Sequence, residues 1–289
     1  MWICAGALLL VWVAFHLMSR FTTQQALTAW DVAALRYAGA FLCALPLLAW
    51  HGLPRLAPGR AALVLVFAGF GFPLGAYAGY QLAPAAHGAT VMAAGLPVVA
   101  ALLGAALRQS RLTGRRALSL ATVVAGSLLL GITTSGVYAG AWRGDLLFLA
   151  AVSSWAVFTV LVQRWQLSAL DTTLAIGLLA APIFLPVWWL ALPSGMSGAS
   201  WQAIVTQLVF QGAFASVIAG ILYTRCVTAL GPGTTTMIGA AVPALAALLA
   251  WPLLGEVLPV LGLVAIGLVT AGLLLAVGRD RRPEGSRVR

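Results

Sequence analysis

Apolar residues in this chain follow neither the alternation of a strand nor the one-sided stripe of a soluble helix. They come in continuous blocks separated by short stretches holding Gly, Pro and Arg. An α-helix needs about 20 apolar residues to cross the hydrocarbon core of a bilayer. Ten blocks meet that length, at about 2–19, 31–50, 61–82, 86–107, 117–134, 144–164, 171–192, 201–224, 232–254 and 258–277. Transmembrane strands are about ten residues long and alternate, so these blocks disfavour a β-barrel. The first block has no basic residues ahead of it and no clear cleavage site, so it reads as a span and not a signal peptide.

Composition agrees. Of 289 residues, 62% are hydrophobic and only 8% charged, with a mean hydropathy of +1.02. A soluble protein carries roughly 45–50% apolar and about 25% charged residues, so this chain could not coat itself for water. The predicted class is an all-α integral membrane protein of ten spans, whose short loops leave no room for a soluble catalytic domain.

The net charge of +10 comes from 16 Arg and no Lys. In a soluble chain it would suggest nucleic acid; here arginine placement encodes orientation, and no nucleic-acid partner is expected. With the N-terminus inside, inner loops and tail hold Arg55, Arg60, Arg108, Arg111, Arg115, Arg116, Arg164, Arg225, Arg279, Arg281, Arg282, Arg287 and Arg289. The outer ends hold Arg20, Arg36 and Arg143, a split of 13 to 3 that predicts both termini inside. Most tryptophans fall near block ends, as an interfacial belt requires. Trp12 and Trp155 lie near mid-span instead. Cys4, Cys43 and Cys226 lie in or beside apolar runs without metal spacing, so no metal or other cofactor is expected.

The chain also matches itself. An offset of 146 places Tyr77 on Tyr223, Thr90 on Thr236, Pro97 on Pro243 and Ala125-Gly126 on Ala271-Gly272; an offset of 143 places Trp12 on Trp155 and Phe15 on Phe158. This divides the chain into a five-helix repeat over 1–135, a second over 143–278 and a basic cytoplasmic tail over 279–289. Five is odd, so the second repeat enters the membrane from the opposite side. Inverted repeats of this kind build transporters whose substrate sits between the halves near mid-membrane.

Two stretches carry a family resemblance. Ala151-Val-Ser-Ser-Trp-Ala-Val-Phe-Thr-Val-Leu-Val-Gln-Arg164 resembles the sixth helix of EamA-type carriers of the drug/metabolite transporter superfamily. Leu254-Gly-Glu-Val-Leu, followed by Gly262-Leu-Val-Ala-Ile-Gly-Leu-Val-Thr-Ala-Gly272, resembles that family's ninth-to-tenth helix junction. The Gly-Glu that closes each repeat in the family is Gly255-Glu256 in the second half but Gln109-Ser110 in the first. The resemblance implies a bacterial inner-membrane exporter of small metabolites, with amino acids the best-populated substrate class.

Polar groups within a bilayer are costly, so each needs a partner or a job. The acids Asp31, Asp145, Asp171, Glu256, Asp280 and Glu284 all fall at span ends, in loops or in the tail, which argues against carboxylate-based proton coupling. His16 and His87 could titrate instead, since histidine changes charge near neutral pH. Trp12 and Trp155 suit a cavity wall with cation–π faces, or plain packing. Tyr77, Tyr80 and Gln81 share one helical face, and with His87 and Thr90 could form an outer polar vestibule; Gln81 and His87 suit a hydrogen-bonded loop around Pro84 equally well. Gln207 and Gln211 share a face of span eight and suit a zwitterion or an interhelical hydrogen bond. Ser154 and Thr236 are weaker candidates, since hydroxyls often bond their own helix.

Gly71, Gly75 and Gly79 on span three, with Gly212, Ser216 and Gly220 on span eight, have the spacing of close helix packing. Pro97 and Pro243 should kink spans four and nine, and with those glycines are the candidate hinges.

The sequence thus points to a secondary transporter exporting small metabolites by alternating access, neutral or aromatic amino acids first, as a facilitated uniporter. Membrane lipid is its surrounding partner, and a monomer is compatible with the pattern, although oligomeric state stays open. A proton-coupled multidrug or cation efflux carrier and a lipid-handling membrane protein are the alternatives. An enzyme is not expected, because no HExxH motif occurs and neither His16 nor His87 has an acid near it in sequence.

Overall fold

The computed structural model describes residues 2–106, 114–134, 137–223, 225–226 and 238–277. Thr236, Arg108, Arg111 and the basic tail therefore lie outside the described residues. Within them the chain is helical with no strand: α1 (Trp2–Phe21), α2 (Ala29–His51), α3 (Pro58–Leu82), α4 (Ala85–Ala106), α5 (Gly114–Thr134), α6 (Ala141–Trp165), α7 (Ala169–Ala191), α8 (Trp201–Tyr223), α9 (Ile238–Leu254) and α10 (Val260–Val277). Seven of these, α1, α2, α3, α5, α6, α7 and α8, are long and apolar enough to cross a membrane. The described apolar parts of the other three, Ala85–Val99, Ile238–Leu254 and Val260–Leu275, are shorter.

Local chemistry sets the boundaries. Thr28 starts α2 with a capping box: its hydroxyl accepts from the Asp31 N–H, and the Asp31 carboxylate accepts from the Thr28 N–H. Ser168 and Ser200 cap α7 and α8 in the same manner as Thr28, each accepting one backbone N–H. These oxygens satisfy donors that would otherwise enter the membrane unpaired. Gly52 and Gly255 end α2 and α9 at φ values of +82° and +69°, a backbone region that glycine adopts without strain.

Two helices change pitch mid-course. Leu65–Gly71 of α3 and Leu208–Ile218 of α8 are π-helical. Such stretches are rare and frequent at functional sites. Pro97 lies inside a continuous α4, whereas α9 breaks at Ala241, two residues before Pro243.

α5 packs on α10, α2 on α7 and α8, α6 on α3 and α4, and α9 on α4 and α1. Glycine allows the closest approaches. A Cβ on Gly126 of α5 would lie 2.8 Å from the Ala265 carbonyl oxygen of α10, and one on Gly272 of α10 would lie 3.0 Å from the Val123 N of α5. The Ser119 hydroxyl donates to the Gly272 carbonyl at 2.7 Å and fixes the register. Gly126→Ala and Gly272→Ala should each cost about 1–3 kcal/mol by overpacking. Gly131→Ala, which meets open space, should be neutral or stabilising. Thermal midpoints in detergent check this, and equal midpoints for all three variants would refute it.

Candidate functional site

Most of the buried polar residues converge on two regions, one inside the bundle and one at the end where α1 meets α2. The inner region begins with Gln211, which stands eleven residues into α8, about 15 Å along its axis. Its side chain is fully buried and bound at both ends. Oε1 accepts from the Tyr77 hydroxyl at 2.9 Å, and Nε2 donates to Ser19 Oγ at 3.2 Å and Gln207 Oε1 at 3.3 Å. Gln207 in turn donates to the Met18 carbonyl at 3.1 Å and to Gln25 Oε1 at 3.2 Å. The π-helical turn contributes here, with the Ser216 hydroxyl donating to the Gln211 carbonyl five residues back, at 2.8 Å. The two glutamines thus tie α8 to the end of α1 and to α3.

Arg36 completes this cluster, donating from Nη1 to the Tyr77 hydroxyl at 3.3 Å. It is the eighth residue of α2, so its backbone lies about 10 Å inside the helix end. An arginine at the centre of a span costs about 2.5–3.5 kcal/mol on insertion scales, less toward the ends. Each acid on the described helices and turns is occupied elsewhere. Asp31 accepts from Thr28, Trp188, Ser194 and Gly195; Asp145 faces His87; Asp171 holds His51 and the Arg55 N–H; Glu256 holds Arg20 and the Ala85 N–H.

A continuous run of rings borders the cluster. Phe15 lies 6.2 Å from Tyr77 and stacks on Phe72 at 6.0 Å; Phe72 meets Trp155 at 5.1 Å, and Trp155 meets Phe158 at 5.0 Å. Trp155 is only partly buried. Trp12 belongs to a separate group, 6.1 Å from Tyr223 and against Gly239.

The second region seals the α1–α2 end. Arg20 Nε donates to Glu256 Oε1 at 2.8 Å and its Nη1 to the Tyr80 carbonyl at 2.7 Å, while Glu256 Oε2 accepts from the Ala85 N–H at 2.8 Å. Three helix junctions meet on one carboxylate. Burial, and next the nearby Glu256 charge, lift the Tyr138 phenol above its ordinary range, with Arg20 opposing. Beside it, His87 Nδ1 meets Asp145 Oδ1 at 2.9 Å and its Nε2 meets Thr134 Oγ1 at 2.8 Å. The α7–α8 turn is held to the same end through Asp31. At the opposite end Asp171 joins His51 at 3.3 Å and the Arg55 N–H at 3.0 Å.

The residues of the expected vestibule therefore divide among separate contacts. Tyr77 joins Gln211, Tyr80 hydrogen-bonds His16, Gln81 reaches the Leu27 carbonyl at 3.5 Å, and His87 joins Asp145. Thr90 is fully buried with no hydrogen-bond partner among the described residues. The Ser154 hydroxyl donates to the Phe67 carbonyl at 2.8 Å inside the π-helical stretch of α3.

The candidate hinge glycines are helix contacts. Gly71, Gly75 and Gly79 face Ser154, Ala151 and Phe148 of α6; Gly212 lies against Gly39 of α2, and Gly220 faces Thr173.

An all-helical apolar bundle with buried polar side chains at its centre suits the passage of solutes. The model of the EamA-like transporter family matches residues 142–278. That match lies within the second half of the chain, which is similar to the EamA-like transporter family. Together with the apolar, membrane-length helices it supports a multi-pass membrane transporter of the drug/metabolite type. No curated protein sequence matches the chain. Twelve chains of solved structures do. One crystal structure aligns with a TM-score of 0.66 at 17% identity over 95% of each chain, which speaks for fold alone.

Within the matched segment, the motif residue Glu256 is the carboxylate that joins Arg20 to the start of α4. Sequence reading missed Arg36 as a site residue. The clue was present: Thr28 and Asp31 form a capping pair, so Arg36 must fall beyond the first turn of α2 and within the span.

Proposed function

We propose that this transporter is a carrier of ten spans in two inverted five-helix halves, with both termini cytoplasmic in a bacterial inner membrane. It exports small metabolites, neutral or aromatic amino acids foremost, by alternating access as a facilitated uniporter. The observation that carries the substrate reading is the hydrogen-bonded group of Arg36, Tyr77 and Gln211, continued by the rings of Phe15, Phe72 and Trp155. It places hydrogen-bonding and apolar surfaces side by side, as a molecule with a polar head and a hydrophobic side chain requires.

Three features support the inverted halves. Gly126 and Gly272, 146 residues apart, pack reciprocally across the α5–α10 pair. The π-helical stretches fall in α3 and α8, third in each half. The pairs α2–α7, α4–α9 and α5–α10 each join a helix to its counterpart in the other half, as an axis between them requires. Uniport is favoured because the acids among the described residues sit near helix ends in fixed contacts.

Uptake of labelled amino acids into liposomes holding the purified protein tests the reading, with and without a pH gradient. Saturable uptake that ignores the gradient and falls about tenfold in Trp155→Ala is expected, about 1.4 kcal/mol of lost binding. Uptake driven by the gradient would shift the weight to proton coupling through His16 or His87. Intact vesicles that carry no amino acid would remove the amino-acid reading.

A further inference from the structure

Arg36 differs from the other polar groups of its cluster. Gln207 and Gln211 use both amide hydrogens on protein acceptors, and the hydroxyls of Tyr77 and Ser19 lie within the same chain of contacts. The Arg36 guanidinium has five N–H donors, and among the described residues one reaches an acceptor, at 3.3 Å. The described acids are held elsewhere, so its charge has no carboxylate beside it. Arg36 is only partly buried, and that leaves part of its side chain open.

We infer that Arg36 anchors the carboxylate of the substrate. An arginine fork matches a carboxylate with two parallel hydrogen bonds, and the pairing strengthens away from water. Tyr77 holds the guanidinium, and Gln211 holds Tyr77 in turn. The rings from Phe15 to Trp155 receive the apolar remainder. The ligand class is a monocarboxylate bearing an apolar or aromatic group, and an amine lacking the carboxylate is excluded by like charge. This deepens the proposed function and rests on the reading of the chain as a carrier of small metabolites.

The test measures thermal stabilisation of the detergent-purified protein by L-phenylalanine, 3-phenylpropanoate and phenethylamine, beside phenylalanine uptake into liposomes. The two carboxylates should stabilise the wild type, and phenethylamine should not. Arg36→Gln should weaken both carboxylates at least tenfold, and Arg36→Lys should weaken them several-fold because the charge stays while the fork is lost. Equal stabilisation by phenethylamine, unchanged binding in both variants, or no carboxylate binding to the wild type overturns the inference. If Arg36→Gln does not fold, Arg36→Lys alone decides, and unchanged affinity overturns it. Carboxylate binding that depends on Arg36 without phenylalanine uptake supports the anchor while removing amino-acid export.

Discussion

Glu256→Ala should lower the thermal midpoint of the purified transporter by roughly 10 °C, from the ~3–5 kcal/mol typical of breaking a buried ion pair. Two groups lose their acceptor together: the Arg20 guanidinium and the Ala85 N–H at the start of α4. The pair is sheltered, with side-chain exposures of 21% for Arg20 and 7% for Glu256, so little water is at hand to replace the carboxylate. Glu256→Gln should lose less, because an amide oxygen can still accept from Ala85. In a double-mutant cycle, Arg20→Ala combined with Glu256→Ala should cost less than the two single effects added, since each single variant strands its partner's charge and the double variant strands none. Additive losses would show that the pair is not coupled.

Gly212→Val should bring the other large loss. A Cβ there would lie 2.4 Å from the Gly39 Cα and 2.9 Å from the Ala40 N of α2. Both are backbone atoms and cannot turn aside as a side chain can. Separating α2 from α8 would also disturb Arg36, which lies one turn from Gly39, and Gln211, the immediate neighbour of Gly212. The midpoint is expected to fall by roughly 5–10 °C, from an overpacking cost of about 1–3 kcal/mol. Gly220→Ala on the same helix, whose nearest neighbour is Thr173 Oγ1 at 3.6 Å, should be tolerated. Similar midpoints for the two variants would refute the close approach.

The helices were legible because a bilayer demands long apolar blocks, and the blocks stand out in this chain. Their caps were partly legible through Thr28-x-x-Asp31 and Ser168-x-x-Asp171. The polar partnerships were not: Arg20 and Glu256 are 236 residues apart, and His87 and Asp145 are 58 apart. Only packing brings them together. Spacing on a helical face correctly joined Gln207 to Gln211 but also grouped Tyr77 with Tyr80 and Gln81, which have different partners. The π-helical stretches leave no mark in composition, and the partner of Gly212 is a lone glycine in α2 with no spacing motif of its own.

The reciprocal packing of Gly126 and Gly272 has a kinematic consequence. With backbone in contact with backbone and the Ser119 hydroxyl on the Gly272 carbonyl, α5 and α10 cannot slide apart without losing the whole seam. They behave as one post, although each comes from a different half of the chain. Under the proposed alternating access, a moving body that took in either helix would have to carry the other with it.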